Sequence, residues 1–202
     1  MAINLQKGQR ISLEKEAPGL TRIMCGLGWD VAKSYGGLFS FFSATKDFDL
    51  DASVICLNDQ EKINNNADLI YFGNLRHASG AITHLGDNLT GEGDGDDEQI
   101  IVDLSNIPSR ISKLVFVVNI YNCFERQQDF GQVKNAFVRL VNLANNREIA
   151  RFNLSGTEYQ RQTGLIMAEI YRHNNNWKMA AIGKGMEVKS LKEVLENYDK
   201  VS

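Results

Sequence analysis

A chain of 202 residues, 43% hydrophobic and 23% charged, is long enough to bury one substantial core and short for two, so it reads as a single domain spanning 1–202. The net charge of −3 is small; the acids are clustered while Lys and Arg are spread thinly, which argues against nucleic acid as a partner. No apolar run approaches the roughly eighteen residues of a membrane span, and Met1-Ala2-Ile3-Asn4-Leu5-Gln6-Lys7 lacks the pattern of a secretory signal. No membrane insertion is expected, and the expected compartment is the cytoplasm.

Short strands dominate the chain. Ile3-Asn4-Leu5 and Ile11-Ser12-Leu13 alternate around Lys7-Gly8 and read as a hairpin, and Thr21 to Trp29 follows as a strand with Ile23, Cys25 and Leu27 on one face. Lys33 to Thr45 breaks the rhythm. Its Gly36-Gly37-Leu38-Phe39-Ser40-Phe41-Phe42-Ser43 is too long for a hairpin turn, and the three phenylalanines read either as a contact patch or as a flap folded onto the core. Strands resume at Ser53 to Leu57, Leu69 to Phe72, Gln99 to Leu104 and Leu114 to Tyr121. Leu114-Val115-Phe116-Val117-Val118 is apolar on both faces and therefore central, whereas Ile100 to Leu104 alternates in part and belongs nearer an edge.

One or two helical turns are expected within Arg126 to Asn135. Further strands follow at Phe137 to Leu143, Arg147 to Phe152, Leu165 to Tyr171 and Lys178 to Gly183. Ser190 to Tyr198 is an amphipathic helix: Ser190 is its N-cap, Glu193 holds the reciprocal capping position, and Leu191, Val194, Leu195 and Tyr198 share a face expected to cover a sheet edge. The whole is an all-β sandwich of two mostly antiparallel sheets with a few short helices, the C-terminal one at about 190–198. Cys25, Cys56 and Cys123 sit in apolar stretches and read as reduced core thiols, an environment that disfavours a reactive thiolate and hence direct reduction of an oxyanion.

Chemistry concentrates in two acidic segments. From Asp87 to Glu98 six carboxylates occupy twelve positions with no basic residue among them, and Gly91, Gly93 and Gly95 alternate with the acids. Like charges at contact repel by roughly 1 kcal/mol per pair in water, so an ordered run of this kind needs a cation, and glycines let successive carbonyls turn toward one point. The donors are hard oxygens, and a crowded flexible loop suits Ca²⁺ better than Mg²⁺. A solvated loop is the alternative for this run taken alone. In the second segment, Asp47-Phe48-Asp49-Leu50-Asp51 places three acids at period two leading into a strand, hence on one face. It is not an EF-hand, because position six counted from Asp47 is Ala52 and position twelve is Asn58. If the segments meet in space they can hold one or two ions. His77, His84 and His173 have no zinc spacing and read as structural, although His84 stands close enough to the acidic run to orient a ligand.

Gly26-Leu27-Gly28-Trp29-Asp30, Asp47 through Ser53, the acidic run through Glu98, Phe130-Gly131-Gln132-Val133 with Asn135-Ala136-Phe137, and Tyr171-Arg172-His173 with Trp177-Lys178 together resemble the TerD family of bacterial tellurium-resistance and stress proteins, over nearly the whole chain. A Gly-rich insertion before the first acidic motif and Arg151-Phe152-Asn153-Leu154-Ser155-Gly156 are similar to its TerZ branch. The resemblance implies a β-sandwich that binds two Ca²⁺ ions and serves a tellurite, phage and colicin resistance and general stress system, with other soluble members and an integral membrane protein as partners. Such a protein would be cytoplasmic, or peripheral at the inner membrane through its partner. Carried over by position, the candidate metal ligands are Asp47, Asp49 and Asp51, and Asp87, Asn88, Glu92, Asp94, Asp96, Asp97 and Glu98. Many members carry Asp where this chain has Asn122, followed here by Cys123-Phe124-Glu125, which lowers the negative charge if that position is near the ions. No enzymatic activity is expected and the chain reads as a calcium-dependent binding or scaffold module. The alternative is a metal-dependent phosphoryl hydrolase using the same acids at a two-ion site.

Overall fold

The structure is a computed structural model, and it describes residues 2–31, 49–86, 95–154, 157–174 and 176–198. Among these residues the short β-rich runs assemble into two six-stranded sheets packed face to face. The first sheet orders its strands β1 (Ile3–Leu5), β10 (Arg147–Leu154), β9 (Val133–Asn142), β3 (Arg22–Val31), β7 (Glu98–Asp103) and β6 (Ile82–His84). The second orders them β2 (Arg10–Ser12), β12 (Asn176–Met186), β11 (Gly164–His173), β8 (Lys113–Ile120), β4 (Leu50–Leu57) and β5 (Leu69–Ile70).

Alternation sets which side chains meet between the sheets. Ile23, Cys25 and Leu27 of β3, Ile100 and Val102 of β7, and Leu114, Phe116 and Val118 of β8 all face the shared core. β8 lies between β11 and β4 and is buried on its outer face too, where Val115 and Val117 contribute to a second apolar cluster. That accounts for its unbroken apolar run. β7 has only the short β6 outside it, and its burial alternates residue by residue. β6 has no counterpart in the strands read from the sequence.

Three expectations change. Ile3–Leu5 and Arg10–Ser12 are not a hairpin: β1 pairs in parallel with β10, and β2 pairs antiparallel with β12. The Lys7-Gly8 turn carries the chain from one sheet to the other, with Gly8 at φ 81° and its amide donating to the Ala181 carbonyl at 2.7 Å. Three alternating residues announce a strand but not its partner. The helical turns expected within Arg126 to Asn135 divide into α2 (Cys123–Arg126) and a 3-10 turn at Phe130–Gln132, because Asn122 and Gln127 adopt left-handed backbone at φ 53° and 54° and bound the first piece. The C-terminal helix covers the outer face of the second sheet rather than an edge. There Val194 and Tyr198 of α3 (Leu191–Tyr198) pack with Ile55, Val115, Val117, Ile166 and Val188, and each fully buried side chain of this size is worth about 1.5–3 kcal/mol. Its start is capped as the sequence suggests, Ser190 Oγ accepting from the Glu193 amide, with the Glu193 carboxylate reaching back to the Lys189 amide at 2.8 Å. A first short helix, α1 (Leu13–Glu16), follows β2 directly.

Candidate functional site

Five of the ten candidate ligands are in described segments: Asp49, Asp51, Asp96, Asp97 and Glu98. Asp47, Asp87, Asn88, Glu92 and Asp94 lie outside the described residues, as does the Gly36 to Ser43 segment.

The end of the acidic run is fastened to both sheets. The Asp97 amide donates to the Leu27 carbonyl at 2.8 Å, and Asp97 Oδ2 accepts the Trp29 amide at 2.8 Å, so the run is held along β3. The two glycines of Gly26-Leu27-Gly28-Trp29 make that passage possible. A Cβ on Gly26 would collide with the Asp96 carboxylate, and one on Gly28 would lie 2.6 Å from the Gly95 carbonyl oxygen. Glu98, the first residue of β7, points into the sandwich and accepts the Ala52 amide of β4 at 2.6 Å. His84 of β6 donates from Nε2 to the Ala52 carbonyl at 3.2 Å, while its Nδ1 accepts the Gly86 amide at 3.2 Å. β5 pairs with β4 only at Val54 and Ile55, so the peptide groups of Ala52 have no strand beyond them and are satisfied by side chains of the opposite sheet. The two acidic segments therefore meet: Glu98 is bonded to the residue that follows Asp51.

Meeting at the backbone does not make the carboxylates converge. Asp96 lies on the outer side of the first sheet with its side chain fully buried, and Arg139 of β9 grips it twice, Nε to Oδ1 at 2.7 Å and Nη2 to Oδ2 at 2.9 Å. Arg139 is held more basic by Asp96 and reaches Glu148 at 3.3 Å, which in turn binds Arg151. Asp96 thus has a protein cation, and both its oxygens are committed to it. Arg139 gave no signal in the sequence, since it stands 43 residues away.

Asp49 and Asp51 have a different setting. Leu50 and Ala52 take the core side of the strand, so the acids fall on the outer face of the second sheet, sharing a face as period two requires. Asp51 is 6% exposed and receives a long contact of 3.4 Å from Asn119 Nδ2, directly across on β8. Arg126 Nη1 approaches Asp49 Oδ2 at 3.9 Å, and the Asp49 carbonyl accepts the Tyr121 amide at 2.8 Å. Beside Asp51, Ser53 is 1% exposed and Asn119 5% exposed, yet Ser53 Oγ and Asn119 Oδ1 have no hydrogen-bond partner among the described residues. Buried polar atoms are normally satisfied, and each one left without a partner costs about 1–3 kcal/mol. Asp51, Ser53 and Asn119 floor a cleft of about 300 Å³ walled by Tyr71, Phe72 and Tyr121, with residues 189–192 at its mouth. Asn122 also lines this cleft with Asp51 and donates to Glu125 at 2.7 Å. Sequence reading missed Ser53 and Asn119, although the alternation Asp51, Ser53 places the hydroxyl on the same face.

A carboxylate, an amide oxygen and a hydroxyl suit a hard cation. Among the described residues no group of three His, Cys, Asp or Glu side chains gathers at a point that could hold a metal, so a full coordination shell needs donors beyond them. The remaining buried acid, Asp68, is compensated like Asp96: Arg110 donates to it at 2.7 and 2.8 Å and His77 Nε2 at 3.0 Å. Burial alone would raise its pKa, but these hydrogen bonds outweigh burial and hold it below the usual carboxylate range. Ser79 Oγ donates to His77 Nδ1 at 2.7 Å and accepts the Ala81 amide, which ties the group into its turn. The three thiols are buried; burial pushes Cys56 up to about 12 and raises Cys25 and Cys123, so none presents a thiolate near neutrality.

Two six-stranded sheets, joined where Glu98 at the end of the acidic run accepts the Ala52 amide, define a β-sandwich. A crystal structure of a homologue of telluride resistance protein (TerD) from Streptomyces coelicolor A3(2) shares the fold, with TM-score 0.62 at 19% identity, covering 84% of this chain and 92% of that one. The TerD domain model matches residues 1–198, and the chain belongs to the TerD family of tellurium-resistance and stress-response proteins. It is 49% identical to the stress response protein SCP2 of Bacillus subtilis (strain 168), over 98% of this chain and all of that protein. Identity to the tellurium resistance protein TerZ of Serratia marcescens is 41%, over 90% of this chain and 89% of that protein, so the resemblance does not single out the TerZ branch.

Proposed function

We propose that this chain is a calcium-binding, non-catalytic binding or scaffold module of a bacterial tellurite-resistance and general stress-response system. The observation that carries the ion is the pair of buried acceptor oxygens, Ser53 Oγ and Asn119 Oδ1, without hydrogen-bond partners among the described residues and beside the buried Asp51. A divalent cation bound there would satisfy both and offset the carboxylate charge. Asp49 and Asp51, with Asn119 and Ser53, are the residues that would hold one ion. Asp47, Asp87, Asn88, Glu92, Asp94 and Asp97 are the candidates to complete its shell and to hold a second. Asp96 and Glu98 act instead as fasteners, through Arg139 and Ala52.

The partners in this reading are other tellurium-resistance proteins, including an integral membrane member that would bring a cytoplasmic module to the inner membrane. No helix among the described residues is long and apolar enough to cross a membrane. Calorimetric titration of Ca²⁺ and Mg²⁺ into chelator-stripped protein, with thermal melts alongside, tests the proposal. Saturable calcium binding near two ions per chain with a raised Tm is the expected result. A flat calcium titration in folded protein overturns it.

A further inference from the structure

Outside the proposed ion site, Asp68, His77 and Ser79 form a chain of hydrogen bonds that ends at the surface. Asp68 directly precedes β5, and His77 and Ser79 belong to the turn that leads into β6. Asp68 is fully buried and His77 is 2% exposed, whereas Ser79 is exposed. The Ser79 amide donates to His77 Nδ1 at 3.1 Å, so this nitrogen is an acceptor and Nε2 carries the proton donated to Asp68 at 3.0 Å. The Ser79 hydroxyl gives its hydrogen to Nδ1 at 2.7 Å. One of its lone pairs accepts the Ala81 amide at 3.2 Å, and the other is left for an electrophile.

Charge compensation does not need this histidine. Arg110 already binds both oxygens of Asp68, and a neutral imidazole adds no counter-charge. What His77 adds is a base held by a buried carboxylate, with a surface hydroxyl on its other nitrogen. Serine, histidine and aspartate bonded in that order activate a serine, the imidazole taking the hydroxyl proton as Oγ attacks. Here the ring is turned, with Nδ1 serving Ser79 and Nε2 serving Asp68, and the relay is the same. The donors around Ser79 select the electrophile. The following amides are engaged, Gly80 with the His77 carbonyl at 2.8 Å and Ala81 with Ser79 Oγ, so they do not form a hole for an acyl oxyanion. Arg76 remains: its guanidinium lies over Gly80, where a Cβ would be 3.4 Å from Nη2, and it has no ion pair among the described residues. A guanidinium fork matches the oxygens of a phosphoryl group.

We propose that Ser79 is a phosphoryl-accepting serine, with His77 as its base, Asp68 orienting His77, and Arg76 holding the phosphoryl oxygens. The donor is a small acyl phosphate, which suits a hydroxyl on an exposed turn. As the Oγ–P bond forms, the bond from phosphorus to the acyl oxygen breaks and its electron pair leaves with the carboxylate. The hydroxyl proton passes to His77 Nδ1, and the imidazolium rests against Asp68 Oδ1. The product is a phosphoserine at the surface, made once per chain, which places about two negative charges beside Arg76. The site shares no residue with the ion proposed at Asp51.

The test treats the full chain with a fluorophosphonate, which loses fluoride to an activated serine, and separately with acetyl phosphate, each read by intact mass and peptide mapping. The expected result is a single adduct at Ser79 with each probe, while the exposed Ser109 and Ser190 stay unmodified. His77→Gln is expected to slow both reactions about a hundredfold through loss of the base. Arg76→Gln, at an exposed position, is expected to slow the acetyl phosphate reaction about tenfold with Tm unchanged. Equal rates in calcium and in chelator are expected, so a failure of the proposed ion site leaves this inference standing. Modification of Ser79 no faster than that of Ser109 and Ser190 in the parent overturns it, whether or not His77→Gln folds. Reaction of folded His77→Gln at the parent's rate also overturns it. A fluorophosphonate adduct at Ser79 without phosphoserine from acetyl phosphate overturns the phosphoryl assignment.

Discussion

Asp96 and Asp51 are both buried aspartates in acidic segments, one on the outer side of each sheet, and their surroundings differ. Asp96 is gripped by Arg139 through two hydrogen bonds, with Gly26 leaving the room for it. Asp51 takes a long contact of 3.4 Å from Asn119, and its neighbours Ser53 and Asn119 keep acceptor oxygens without partners among the described residues. An acid whose counter-charge is built into the fold is a rivet. An acid beside unsatisfied acceptor oxygens is where the proposed ion would sit.

The sharpest way to break this contrast is to remove the built-in cation. Arg139→Met leaves a buried carboxylate without its pair and is expected to cost about 3 kcal/mol in urea denaturation, the lower end of the range for breaking buried pairs because Arg139 is partly exposed. Its calcium titration should be unchanged, and a stability close to the parent's would show that Asp96 is not a rivet. Asp51→Asn should behave in the reverse manner. Without calcium its stability stays within about 1 kcal/mol of the parent, but the stabilisation of about 2.7 kcal/mol expected at a hundredfold excess of calcium over Kd is lost. Loss of stability in chelator equal to that in calcium would place Asp51 among the rivets.

Asp68 extends the comparison to pH. Because its folded pKa is lowered, its contribution to stability is present above the unfolded carboxylate value of about 3.9 and is lost as pH falls through the still lower folded value. Denaturation midpoints measured from pH 5 downward should therefore fall less steeply in Asp68→Asn than in the parent; parallel acid limbs would refute the assignment. The smallest effect is expected for Glu98→Gln, which keeps an acceptor for the Ala52 amide but removes its charge. A loss of about 1 kcal/mol is the difference between a charge-assisted bond and a neutral one. Should Glu98→Gln instead abolish calcium binding at full stability, Glu98 is a ligand and not a fastener.

Sequence alone determined the sandwich, the central place of Leu114 to Val118, the capped C-terminal helix and the grouping of Asp49 with Asp51 on one face. Each of these follows from periodicity and local capping, which act within a few residues along the chain. Only the tertiary structure decided which acids take a cation built into the fold and which lie beside unsatisfied acceptor oxygens. Arg139 meets Asp96 across 43 positions, Glu98 meets Ala52 across 46, and Asn119 meets Asp51 across 68. The same limit separated β1 from β2, since a strand's pattern names its buried face and leaves its neighbour to the packing of the whole chain. Coulomb attraction and desolvation depend on distance in space, and sequence spacing does not carry that distance between strands paired from far apart.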